Sequence, residues 1–208
     1  MSSFCITKIE LQALVSALRM PITYISMDLP QLTESEESRV VEQLCSQGIL
    51  FHDTNGFIPT KGLKKHLFPI KSSSDILLFN YGTNNNCIFN ASIYFSPNGV
   101  VAVYEKTKSS IICICLESLN DILTFIPLIG NGNNSHENEY VSYFHFSDRG
   151  YSIAHFAAFN PMTSSVIIEE KKQCSNSPLL ESLQEASIKE YSEMLKEKLE
   201  DVYNVSCG

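Results

Sequence analysis

The chain has 208 residues, 44% hydrophobic and 18% charged, and its 15 Lys and Arg stand against 23 Asp and Glu for a formal net charge of -8. That composition belongs to a folded protein able to bury a sizeable core, and it excludes a disordered chain. The acidic balance disfavours a nucleic-acid binder, because a phosphate-tracking surface needs a surplus of cations to release counterions.

Thr7 and Glu10 make a capping-box pattern, and Leu11, Leu14, Val15 and Leu18 recur on one stripe, which predicts a helix stopped by Pro21. The box repeats at Thr33 and Glu36. Glu34, Glu36 and Glu37 crowd the first turn of this second helix, Val40, Val41 and Leu44 face inward, and Gly48 suits the left-handed position after its end. Ile49–Phe51 and Phe57–Ile58 flank Asp53-Thr54-Asn55-Gly56, and Asn-Gly is the strongest short hairpin signal. Pro59 and Thr60 then open a short basic helix through Phe68. Together these elements partly resemble a winged-helix module.

From Asp75 the helical period gives way to alternating or continuous apolar runs, which predict strands over 76–81, 87–95, 100–104 and 111–116 in an antiparallel meander. Ser118 and Asp121 cap a helix over Leu119–Ile126 that Pro127 ends. Gly130–Asn138 is rich in Gly and Asn and reads as a loop between halves. Strands follow over 140–146, 152–159 and 165–169, and a last helix is predicted from about Pro178 to Tyr203, its apolar positions including Leu180, Leu183, Ile188, Tyr191, Leu195, Leu199 and Val202. The strands-then-helix pattern occurs twice. The expected fold class is α+β in a single domain over 1–208: a helical part at 1–71, a first sheet and helix at 72–129, and a second sheet and helix at 139–208.

No catalytic set stands out. Cys113 and Cys115 share one face of a strand and read as small core residues, while Cys45, His52 and His66 have no zinc-ligand spacing. His145 and His155 fall on adjacent strands near Ser147 and Asp148, but the chain lacks a nucleophile elbow, so they read as half-exposed sheet residues. The run from Gly130 to Asn134 lacks the Lys and Ser or Thr of a phosphate loop. Lys61, Lys64, Lys65 and Lys71 form a basic stretch within a segment, 1–71, whose charges balance, and the preceding helix opens with three glutamates. That stretch reads as a solvated helix face. No enzyme activity, metal, cofactor or nucleic-acid partner is expected. The seven cysteines have no framework spacing, Met1–Thr7 has no leader pattern, and no apolar run reaches the roughly 20 residues of a spanning helix. A cytoplasmic location without membrane insertion is the expectation.

The order of features resembles one family. Thr33-Glu-Ser-Glu-Glu leading to Cys45-Ser-Gln-Gly48-Ile49-Leu50, then Gly56-Phe57-Ile58-Pro59 and Leu63–Leu67, is similar to the opening of the EspG family of type VII (ESX) secretion chaperones. The meander with Gly99-Val100-Val101-Ala102, the helix Leu119–Ile126 with Pro127, and the turn Asp148-Arg149-Gly150-Tyr151 look like later features of that family, although Arg and Gly stand in the opposite order in the turn. The chain resembles a shorter, Firmicutes-like relative.

The resemblance implies a quasi-two-fold α+β protein with a central antiparallel sheet and a non-enzymatic role as a cytosolic chaperone or adaptor. Such a protein covers the apolar tip of a helical-hairpin type VII substrate, WXG100-like or LXG-like, and presents it to the secretion machinery, as a monomer or homodimer. The patch should be apolar at its centre and polar at its rim. The candidates are Phe95, Val101, Val103 and Tyr104 on the meander, with Asn131, Asn133 and Asn134 at the rim. The runner-up is a winged-helix-like transcriptional regulator joined to a ligand-sensing α+β domain, and a third possibility is an enzyme using His145 or His155.

Overall fold

In the computed structural model, which describes residues 2–20, 29–83, 86–107, 110–130, 139–175 and 177–207, both expected capping boxes form. Thr7 Oγ1 accepts the Glu10 N–H at 3.1 Å while the Glu10 carboxylate accepts the Thr7 N–H at 2.9 Å, and Thr33 and Glu36 repeat the exchange. They start α1 (Lys8–Ala17) and α2 (Glu34–Ser46). The Asn-Gly turn joins β2 (Leu50–Asp53) to β3 (Gly56–Pro59), and Thr60 caps α3 (Lys61–Lys71). α3 runs through Pro69, whose missing N–H would orphan the Lys65 carbonyl one turn back. The Cys115 thiol donates to that carbonyl at 3.6 Å. This compensation lets the helix pass the expected stop at Phe68.

The large sheet is built from β1 (Ser2–Thr7), β4 (Asp75–Thr83), β5 (Asn86–Ser96), β6 (Gly99–Thr107), β7 (Ser110–Leu116), β8 (Glu139–Ser147), β9 (Tyr151–Asn160), β10 (Ser165–Cys174) and β11 (Leu180–Ala186). Its nine strands lie in the order β1-β7-β6-β5-β4-β8-β9-β10-β11, every neighbouring pair antiparallel. From the central pair β4–β8, one meander unrolls to β7 and is followed by α4 (Leu119–Phe125), and the other unrolls to β11 and is followed by α5 (Ile188–Cys207). This is the repeated strands-then-helix plan that the sequence predicted, arranged about a quasi-two-fold between β4 and β8.

Two elements differ from expectation. β1 joins the edge of β7 with Ile6 opposite Ile111, where a strand had not been read. Residues 180–186, expected within the last helix, pair with β10 instead, and the helix begins only after Ser187, whose Oγ accepts the Glu190 N–H at 3.2 Å. The stretch Leu-Glu-Ser-Leu-Gln-Glu-Ala has helical propensity, but the open edge of β10 offers a complete ladder, and tertiary pairing overrides the weak local preference.

The sheet's period of two divides its side chains between two cores. On the front face Ile76, Tyr94, Val101, Val103, Ile111 and Cys113 are buried beneath Leu11, Leu14 and Val15 of α1, Val40, Val41 and Leu44 of α2 and Leu63, Leu67 and Ile70 of α3. On the back face Leu77, Phe79, Ile93, Phe95, Val141, Tyr143, Ala157 and Ile168 are buried beneath Ile122 of α4 and Tyr191, Leu195 and Leu199 of α5. Each fully buried Leu or Ile contributes about 1.5–3 kcal/mol relative to exposure. The back layer extends along both meanders, whereas the front helices cover only the first. Among the described residues no helix is long and apolar enough to cross a membrane.

Candidate functional site

The four candidate residues on the meander do not form an exposed patch. Phe95 is buried on the back face, and Val101 and Val103 are buried on the front face under the N-terminal helices. Tyr104 is half-buried on the back, with its ring centroid 5.8 Å from that of Phe125 and 6.4 Å from that of Phe89. The alternation along β6 sends Tyr104 and Val103 to opposite faces, so the strand cannot offer all of them to one partner. Asn131, Asn133 and Asn134 lie outside the described residues.

The apolar surface that is exposed lies on the second meander. The registers place Tyr140, Phe144 and Phe146 of β8 and Phe156 of β9 on the front face, in line with Ile76 and Leu78 of β4. No described helix covers them there: Phe144 is 50% exposed and Phe156 45%. The rings rest on each other in two parallel pairs, Phe144 with Phe146 at 6.4 Å and Tyr140 with Phe156 at 6.1 Å between centroids. Between them stand small residues, Ser142, Ser152, Ala154 and Ala158, so the rings project from a shallow floor. Gly82 sits beside Tyr140 where any Cβ would lie 2.6 Å from the Tyr140 hydroxyl and 2.0 Å from the Asn86 carbonyl oxygen. Only glycine admits that approach.

The rim of this face is polar. Toward the sheet edge lie Glu169, Lys171, Glu181 and Glu185, with the Lys171 ammonium 3.3 Å from Glu169 and 3.4 Å from Glu181. These carboxylates raise the Lys171 pKa, and with three carboxylates to one ammonium the rim is acidic. At the end near the Ser73–Ser74 linker, a hollow of about 340 Å³ opens between Phe146, Ser147, Ser152 and Tyr151.

Behind the face, two buried polar networks fix β8 and β9 against α5. Asp75 accepts from Arg149 Nη2 at 2.9 Å and from Ser206 Oγ at 2.5 Å, and its Oδ1 lies 2.9 Å from His145 Nε2. Burial alone would push this carboxyl up, but the hydrogen bonds from His145, Ser206 and Arg149 hold it well below the usual carboxylate range. One side chain thus ties the seam of the two meanders to the final turn of α5. In the second network His155 stacks on Tyr143 with centroids 4.4 Å apart and meets Glu170 Oε2 at 3.3 Å and the Tyr191 hydroxyl at 3.4 Å. Glu170 is also paired with Lys198. Its carboxyl is held down to about 2, first by the His155 hydrogen bond and then by Lys198, while burial lowers the His155 pKa.

His145 and His155 are therefore buried rather than half-exposed as expected, because both point to the back face under α5, where Asp75 and Glu170 supply polar partners. Cys113 is buried in the front core and its thiol is pushed up to about 12 by burial. Among the described residues no group of three or more His, Cys, Asp and Glu is placed to hold a metal ion. In the basic stretch, α3 packs on the sheet by Leu63, His66, Leu67 and Ile70 and leaves Lys61, Lys64 and Lys65 exposed.

The sequence holds a signal for the open face that the candidate choice passed over. Tyr140–Phe146 carries aromatic or apolar residues at both parities, as does Ile153–Phe159. A strand apolar on both sides needs two covering layers, and the described residues supply only one for the second half. No protein-family model matches the chain, and no curated protein matches it.

Proposed function

We propose that this chain is a cytosolic, non-enzymatic chaperone or adaptor whose open front face on β8 and β9 takes the apolar tip of a helical-hairpin secretion substrate of the WXG100 or LXG kind. The observation that carries this reading is the pair of half-exposed rings, Phe144 and Phe156, on a strand pair whose other side packs against α5. Large exposed aromatics over an ordered floor, with charge along their outer side, have the anatomy of a protein-binding patch: rigid anchors at the centre and a solvated rim. The resemblance to EspG-like chaperones supplies the kind of client, and the quasi-two-fold antiparallel sheet is the architecture that resemblance implies. Mechanism in this reading is physical. The rings exchange water for client side chains, and the client's apolar tip is withheld from aggregation until it is released at the export machinery.

The test is co-expression of the chain with a helical-hairpin secretion protein from the same genome. Co-elution as a discrete complex, lost in the double variant Phe144→Ser, Phe156→Ser, is expected. A complex that survives this change, or duplex DNA as the only ligand, would remove the reading.

A further inference from the structure

The strand that ends the sheet, β11, presents an open edge. It pairs with β10 on its inner side, and among the described residues no strand lies beyond it. Antiparallel geometry sends alternate N–H and C=O groups to opposite sides, so about half of the strand's ladder groups face outward. Natural edges are commonly blunted by charged side chains, above all Lys, by Pro or by a bulge. β11 has no Lys, Pro or bulge within Leu180–Ala186, its only charges there being Glu181 and Glu185, and it exposes Leu180 to 59% and Leu183 to 74%. The opposite edge, β1, is treated differently: it runs straight into α1, and its Ser2 carbonyl lies 3.4 Å from His66 Nε2.

The charges on this edge select among strands that could add to it. On the front face Leu183 stands between Glu181 and Glu185, with Glu169 directly across in β10. A second copy added antiparallel about Leu183 would set Glu181 against the partner copy's Glu185 on both sides of the centre, and like charges directly opposite are destabilising. A strand carrying Lys or Arg two residues either side of an apolar residue would set each cation against a carboxylate instead. We propose that β11 is a docking edge for an extended cationic segment of another protein, which adds as a further antiparallel strand with its apolar residue over Leu183. This inference stands on the edge and its charges and does not rest on the chaperone reading.

The probe is a blocked seven-residue peptide with lysines two residues either side of a central valine, compared with its glutamate counterpart, each titrated into the full chain at low salt and followed by amide NMR. The lysine peptide should bind roughly tenfold more tightly, a preference of the size expected for two cross-strand charge pairs. Its shifts should map to residues 180–186, and the preference should shrink in high salt. The double change Glu181→Lys, Glu185→Lys should reverse it. Equal binding of the two peptides, absence of binding, shifts confined to other strands, or self-association of the free chain through 180–186 would each overturn the proposal.

Discussion

The two meanders share one plan and differ in their cover. Both run outward from the β4–β8 seam and both finish with a helix on the back face, yet only β4–β7 is roofed in front by α1, α2 and α3. The side chains follow the cover. Under the roof the front positions Tyr94, Val101, Val103, Ile111 and Cys113 are enclosed, whereas the uncovered positions Tyr140, Phe144, Phe146 and Phe156 are all aromatic, partly exposed and interspersed with Ser and Ala. Aromatic rings lying on a shallow floor retain part of their burial while keeping one side for a visitor. The difference teaches that a repeated framework can enclose one half completely and leave a face of the other half open.

The largest expected effect falls on the seam that both halves share. Asp75→Ala strips His145 and Arg149 of their common buried partner and frees the Ser206 contact with α5, and it should cost about 3–5 kcal/mol, read as a lower urea midpoint. The next comparison sets roof against open face. Leu14→Ala, at a fully enclosed position of α1, should cost about 2–5 kcal/mol, whereas Phe144→Ser should stay within about 1 kcal/mol in the same denaturation assay. Equal costs would erase the distinction between the halves.

Acid should act through the seam, where Asp75 is held low, and through the second half. Glu170 is held at about 2 in the folded protein against an ordinary 4.5, so its stabilisation is present above pH 4.5 and is lost as pH falls from there toward 2. His155 is lowered from 6.5, so the unfolded chain takes up its proton first, and stability begins to fall as pH drops below 6.5. Stability measured from pH 8 to 3 should show both limbs. Glu170→Gln should flatten the lower one by on the order of 1–2 kcal/mol, reduced from the full shift because the carboxylate keeps some contact with solvent. Smaller still, Cys115→Ala removes the donor that satisfies the Lys65 carbonyl opposite Pro69 and should lower stability by roughly 0.5–1 kcal/mol in the same assay, all of it from the roofed half.

Much of the framework was legible because its signals are local. The capping boxes at Thr7 and Thr33, the N-cap at Ser118, the Asn-Gly hairpin and the alternating runs of both meanders each formed where the residues placed them. β11 was not, since its Leu180 and Leu183 fit a helical stripe and only the vacant edge of β10 makes them a strand. The Ser187-Ile-Lys-Glu190 box marks the true start of α5 and was the local cue available. The open face was missed for a related reason. Phe95 and Val101 are as apolar as Phe144 and Phe156, and what separates them is their cover, the C-terminal helices over Phe95 and the N-terminal helices over Val101, which the two-sided apolar pattern of β8 and β9 signals but does not locate.

The central claim, that the open half binds and the roofed half does not, is tested most directly by calorimetric titration of the client hairpin into three forms of the full chain. The unmodified chain should bind, Phe144→Ser with Phe156→Ser should weaken binding by about a hundredfold or more, and Phe51→Ser, an equally exposed ring on the β2–β3 hairpin, should stay within about twofold. Affinity unchanged by the β8–β9 pair, or lost with Phe51→Ser, would contradict the account.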